Sequence, residues 1–150
     1  PICRETYICG EVPNALRMKL AVNLFLITMV TGLAEAAHFA ERHGLDPELF
    51  RAILDAGPMA SVVSRGKLRK WVERDFAAQA ALRDVLQNNQ LVAGAARAAG
   101  VASPLLDVCR ELYAEAAALG HGSSDMNAVI EAHAHRTAAA QRNAVPLQQL

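Results

Sequence analysis

The chain has 150 residues, 53% of them hydrophobic and only 5% aromatic. That length is enough for one domain with its own core, and the excess of alanine and leucine favours helix over sheet. Lysine plus arginine equals aspartate plus glutamate at 15 each, which removes the net field that would draw a chain to nucleic acid or to an anionic membrane.

In chain order, "TYIC" (Thr6 to Cys9) before Gly10 is the single strand candidate. A long helix is expected from about Asn14, after Pro13, to "RHGLDP", where Gly44 takes the left-handed capping position. Asp46 then caps a second helix with Pro47 in its first turn, and Gly57-Pro58 ends it. A third helix is expected from about Ser61 to Arg74, and a fourth from about Ala78 to Ala99, stopped by Gly100. Ser103-Pro104 opens a fifth, whose apolar face is read as Leu105, Val108, Cys109, Leu112, Ala116 and Leu119. His121 sits in a turn between Gly120 and Gly122, and Ser123 or Ser124 caps a sixth helix through about His135. The tail from Arg136 carries Pro146 and no periodicity, so residues 136–150 are read as weakly ordered. No internal repeat is visible. The pattern gives an all-α domain over residues 13–135, with helices around one long central helix after a short extended lead-in.

The apolar run Leu20 to Leu33 has 14 residues and is broken by Asn23, Thr28, Thr31 and Gly32. A membrane span needs about 20, so the run reads as the buried centre of a bundle. Cys3, Cys9 and Cys109 are odd in number and lack metal-ligand spacing, which points away from a disulfide framework and toward the cytoplasm. No signal peptide pattern is present, and the chain opens on proline, which suggests a piece of something longer.

"RMKLAVNLFL" (Arg17 to Leu26) carries the chemistry. Lys19 and Asn23 stand four apart, on one face and one turn from each other. An ammonium and an amide there present donors to one small polar molecule, and a partly buried ammonium exchanges its proton closer to neutrality. The competing reading is a lysine stem packed along apolar surface with its head in water.

Several motifs in order resemble one family. These are "GEVPNALRMKLAVNLFL", "AEAAHFAERHGLDPE", "GPMAS", "RDFAAQAALRDVL" and "ELYAEAAALGHGSSDMNAVIE". Together, from about Thr6 to His133, they resemble the C-terminal helical domain of the β-hydroxyacid dehydrogenases of the 3-hydroxyisobutyrate dehydrogenase type. The resemblance implies that Lys19 is the catalytic acid/base, that Asn23 and Gly10 hold substrate, and that Phe76 and Asp84 face the cofactor. It also implies a small β-hydroxy acid or its semialdehyde as substrate, NAD or NADP bound mainly by a separate Rossmann domain, and a homodimer. Residues 1–12 would then be the end of that Rossmann domain and the junction. The family's lysine before its aspartate is Arg83 here, and its two further glycines between Gly10 and the lysine are Pro13 and Ala15. Imine-reducing relatives replace the lysine, so Lys19 favours hydroxy-acid chemistry. No phosphate-cradling G-x-G-x-x-G occurs in these residues. The alternative from another class is a non-catalytic helical dimerisation module.

The remaining features have plain readings. On the fourth helix Leu82, Val85, Leu86, Asn89, Ala93 and Ala96 form one stripe, and Asp84 lies off it near Asn88 and Leu91. "RGKLRKWVER" (Arg65 to Arg74) reads as a solvated basic helix face. Glu35 and His38 read as buried hydrogen-bonding partners, and His133 and His135, two apart, as no metal pair.

Overall fold

The computed structural model describes residues 5–143. Residues 1–4, with Cys3, and residues 144–150 lie outside the described part. Six α-helices succeed one another: α1 (Asn14–Arg42), α2 (Pro47–Ala56), α3 (Val62–Val72), α4 (Leu82–Ala98), α5 (Pro104–Ala116) and α6 (Ile130–Asn143). No strand occurs among the described residues, and Ala81 and Asp125 make an isolated antiparallel bridge. "TYIC" is irregular, with Thr6, Tyr7 and Ile8 exposed and Cys9 half-buried, because an extended segment without a neighbour has no ladder to join.

Helix α1 is the axis. Its 29 residues span about 43 Å at 1.5 Å per residue. It ends as the glycine predicts: Gly44 has φ +66, Leu45 N–H reaches the carbonyl of Ala40, and Gly44 N–H that of Glu41, both at 3.0 Å. The buried side of α1 is Ile27, Val30, Thr31, Ala34, Ala37 and Ala40. Its alanines leave room for α4, α5 and α6 to approach closely. Ahead of Ile27 the helix is mostly uncovered, and Leu16, Met18, Val22 and Phe25 are exposed. By length and composition α1 would suffice to cross a membrane, since its full extent exceeds the 14-residue run. Its second half packs one face, Ile27 to Ala40, against the other helices.

The flanking elements close around this axis. Asp46 accepts from the amides of Glu48 (2.8 Å) and Leu49 (3.0 Å) and starts α2. Ser61 and Ser64 form a reciprocal capping box on α3. The Phe50 ring meets Trp71 edge-on, centroids 6.0 Å apart, tying α2 to α3.

Four expectations are corrected. Helix α4 starts at Leu82, not Ala78, because residues 77–81 are non-helical and pinned to the loop before α6. The buried face of α5 is Leu106, Cys109, Leu112, Tyr113 and Ala116, with Leu105, Val108 and Leu119 exposed, a stripe rotated by one residue. Asp125, rather than Ser123 or Ser124, caps the last helical stretch, which begins as a 3₁₀ turn over Met126–Val129. Helix α6 continues past His135 to Asn143, because Thr137 bonds back to His38 and Arg136 to Glu115.

Candidate functional site

Of the expected site residues, Asn23 sits at the seam between α1 and α4, with Lys19 one turn before it on α1 and Asp84 one turn before its partner Asn88 on α4. Lys19 lies on the uncovered part of α1, exposed, with no hydrogen bond or ion pair. This domain therefore supplies none of the burial expected for it. One turn on, Asn23 is half-buried, and its Nδ2 donates to Oδ1 of Asn88 on α4 at 3.4 Å. Asn88 in turn donates to the carbonyl of Asp84 at 2.8 Å. The Asn23–Asn88 link thus aligns the Lys19 face of α1 with the first turn of α4, where Asp84 projects into solvent off the buried stripe of Leu82, Val85, Asn89, Val92 and Ala93.

Phe76 and Gly10 stand apart from this seam. Phe76 is half-buried and packs against the hydrophobic core. Gly10 is exposed at φ +81, and a Cβ there would stand 3.5 Å from Asn14 Nδ2. The left-handed backbone, rather than a crowded wall, is what favours glycine at that position.

Sequence reasoning missed the buried hub that holds these pieces. Lys67 is 6% exposed and Asp125 0%. The Lys67 ammonium donates to Asp125 Oδ1 at 2.7 Å and Oδ2 at 3.0 Å. The same carboxylate accepts from the amides of Gln79 (2.9 Å), Ala80 (3.3 Å) and Asn127 (3.1 Å). Backbone bonds add to it: Asp125 N–H to the Phe76 carbonyl, Met126 to Ala80, Leu82 to Ser124 and Arg83 to Gly122. Residues 76–83, between Phe76 and Asp84, are therefore stapled to residues 122–126. Burial pushes the Asp125 carboxyl up, but the Lys67 ammonium and the amide donors outweigh it, and the group lies below the usual carboxylate range.

The basic stretch from Arg65 to Arg74 is accordingly a solvated face only in its arginines: Arg65, Arg69 and Arg74 are exposed. Lys67, Lys70 and Trp71 are buried, and Lys70 pairs with Asp75 at 2.7 Å. The signal was available as the 3,4 spacing of Ser64, Lys67, Leu68 and Trp71, obscured by two lysines that pair internally.

The other polar residues separate cleanly. Glu35 is exposed rather than buried, and His38 Nε2 pairs with Thr137 Oγ1 at 2.8 Å. His135 bonds Glu115 at 2.7 Å, while burial pushes the His133 imidazole below its ordinary value. Burial likewise pushes the Cys109 thiol up. No group of three His, Cys, Asp or Glu able to hold a metal occurs among the described residues.

The family described as the NAD-binding part of NADP-dependent 3-hydroxyisobutyrate dehydrogenase matches residues 14–133. The chain belongs to that family. Glyoxylate/succinic semialdehyde reductase 1 of Arabidopsis thaliana is 27% identical over 129 residues, 86% of this chain and 45% of the relative. The cytokine-like nuclear factor N-PAC of Aedes aegypti is 29% identical over 128 residues, 85% of this chain and 23% of the relative. The solved structure of 3-hydroxyisobutyrate dehydrogenase from Salmonella typhimurium shares the fold at TM-score 0.79 and 23% identity, over 83% of this chain and 44% of that one. The chain thus spans less than half the length of these relatives.

Proposed function

We propose that this chain is the substrate-side domain of an NAD(P)-dependent oxidoreductase. The whole protein would move a hydride between nicotinamide and a small β-hydroxy acid or its semialdehyde. The observation that carries the reading is Lys19: a free ammonium one turn from an anchored Asn23, in a chain matched along 14–133 by this family. The names of relatives support the substrate class, since one acts on glyoxylate and succinic semialdehyde.

The residues fit one side of a nicotinamide rather than the seat for its phosphates. Lys19 and Asp84 are exposed, Phe76 offers a half-buried ring, and no strand with a glycine-rich loop occurs among the described residues. Phe76 and Asp84 would border the cofactor, and a Rossmann domain outside these residues would grip it. When bound, NAD or NADP accepts or supplies the hydride at the carbinol carbon. Lys19, as the neutral amine, takes the hydroxyl proton during oxidation. As the ammonium it polarises the carbonyl oxygen and returns that proton during reduction. Asn23 donates an amide hydrogen to hold the substrate beside it, its own position fixed through Asn88. The second domain would also supply the cover that Lys19 lacks here.

Exposed Leu16, Met18, Val22 and Phe25 support association through the uncovered half of α1, as a homodimer or with the Rossmann domain. Free Cys9 and Cys109 suit a reducing cytoplasm. A helical dimerisation module is the second reading, favoured by relatives named as nuclear factors. An assay of the protein joining this chain to its nucleotide-binding domain decides between them. NAD(P)H-dependent reduction of glyoxylate or succinic semialdehyde is expected, with none from this chain alone. Sedimentation of this chain should show a dimer at micromolar concentration. Activity in neither preparation would leave the module reading in place.

A further inference from the structure

At the far end of α1, about 28 Å along the helix from Lys19 at 1.5 Å per residue, lies a cluster with no part in the chemistry above. A pocket of about 340 Å³ opens between α1 and α6, lined by Glu35, His38, Arg42, His43, His133 and Arg136 among others. Its walls are built. His38 and His133 stack with centroids 6.4 Å apart, Thr137 Oγ1 holds His38 Nε2, and the His43 ring leans on Phe39 at 4.2 Å. Arg136 is braced by Glu115 from α5 at 2.6 Å. Arg42 is exposed and has no hydrogen bond or ion pair. His133 Nε2 is sealed from solvent with no partner.

We propose that this pocket binds a small oxyanion of the carboxylate or phosphate class, held by Arg42, His38, His43 and His133, with binding coupled to proton uptake by the histidines. The charges explain the coupling. With the histidines neutral, two arginines face one glutamate on the lining, and Arg136 is already committed to Glu115. Only Arg42 is then free to meet an anion, against Glu35. Protonation of His38, His43 or His133 tips the pocket decisively positive. Burial, with His38 and Arg136 beside it, disfavours the charged form of His133, while Glu35 and Glu115 oppose this. An anion in the pocket would relieve that cost, so ligand and proton help each other. The inference stands on its own whatever reaction Lys19 serves.

The test uses this chain and sulfate, whose charge is constant between about pH 5 and 8, where histidines titrate. Imidazole NMR signals are followed through that range with sulfate against chloride at equal ionic strength. Sulfate should raise the titration midpoints of His38 and His133 by about half a unit or more while His121, outside the pocket, stays put, each full unit corresponding to tenfold in linked affinity. Arg42→Ala, at an exposed unpartnered position, should fold normally and abolish the shifts. Acetate matching sulfate would assign the site to carboxylates, and phosphate matching sulfate without acetate would assign it to phosphates. His38 and His133 moving no more than His121, or Arg42→Ala keeping the shifts, would overturn the proposal.

Discussion

Two lysines divide the molecule's labour. Lys67 is buried on α3 with its ammonium between both oxygens of a fully buried Asp125. Lys19 stands exposed on the open half of α1, bonded to nothing. A buried charge survives only when it is matched by a partner and by hydrogen bonds, so Lys67 is committed to holding α3, residues 79–80 and the start of the last helical stretch together. An exposed lysine stays hydrated and needs no such partner. The contrast separates a structural ammonium from one left free at the surface within a single chain.

Breaking the buried partner should give the largest effect. Lys67→Ala strands the Asp125 carboxylate and should cost about 3–5 kcal/mol in urea unfolding. Replacing both partners with apolar residues of similar volume should cost much less than that single change, which would sharpen the claim that stranding, not the loss of attraction, is the penalty.

Acid should act through the same pair. The folded Asp125 carboxyl lies below its unfolded value, so the unfolded state binds more protons as pH drops. Its stabilising contribution is complete above about pH 4, the unfolded carboxylate value, and is lost as pH falls further through the folded value. His133 adds a shallower loss in the same direction, beginning below about pH 6.5. Urea unfolding of the wild type and of Asp125→Asn across pH 3–7 checks this, the variant having lost the steep acid limb whatever its overall stability.

The α1–α4 seam should respond weakly. Asn23→Ala removes one long, half-buried hydrogen bond and should cost about 0.5 kcal/mol, the lower end for such bonds. Smallest of all, Lys19→Ala should change stability by less than about 0.5 kcal/mol, as for exposed positions without partners, in the same urea assay that registers Lys67→Ala.

Much of this was legible in the residues. Gly44, Asp46-Pro47 and Ser61 mark helix ends by local backbone chemistry, which sequence displays directly. The four-residue spacing of Lys19 and Asn23 likewise needs only helical geometry. Burial of the lysines was not legible, because it depends on partners far along the chain. Lys67 meets Asp125 58 positions away, so one face of a stretch that looks solvated is internal. Lys19 looked half-buried among apolar neighbours, yet Leu16, Met18 and Val22 beside it are themselves uncovered. The start of α4 failed for the same reason: residues 77–81 have helix-forming alanines, but the Gln79 and Ala80 amides donate to Asp125 and the Ala80 carbonyl accepts from Met126, which keeps the segment out of the helix.

Steady-state kinetics of Lys19 variants across pH, in the protein joining this chain to its nucleotide-binding domain, tests the central claim most directly. Lys19→Ala should lower turnover about 10²–10⁴-fold, the range for loss of a general acid or base, with cofactor affinity nearly unchanged. Lys19→Arg should restore little, since arginine keeps its proton, whereas Asn23→Ala should weaken substrate binding and turnover together and leave the pH limb of the lysine in place. Retention of more than about a tenth of wild-type turnover by Lys19→Ala, less than the smallest effect of a general acid, would contradict the account and make Lys19 an ordinary surface lysine.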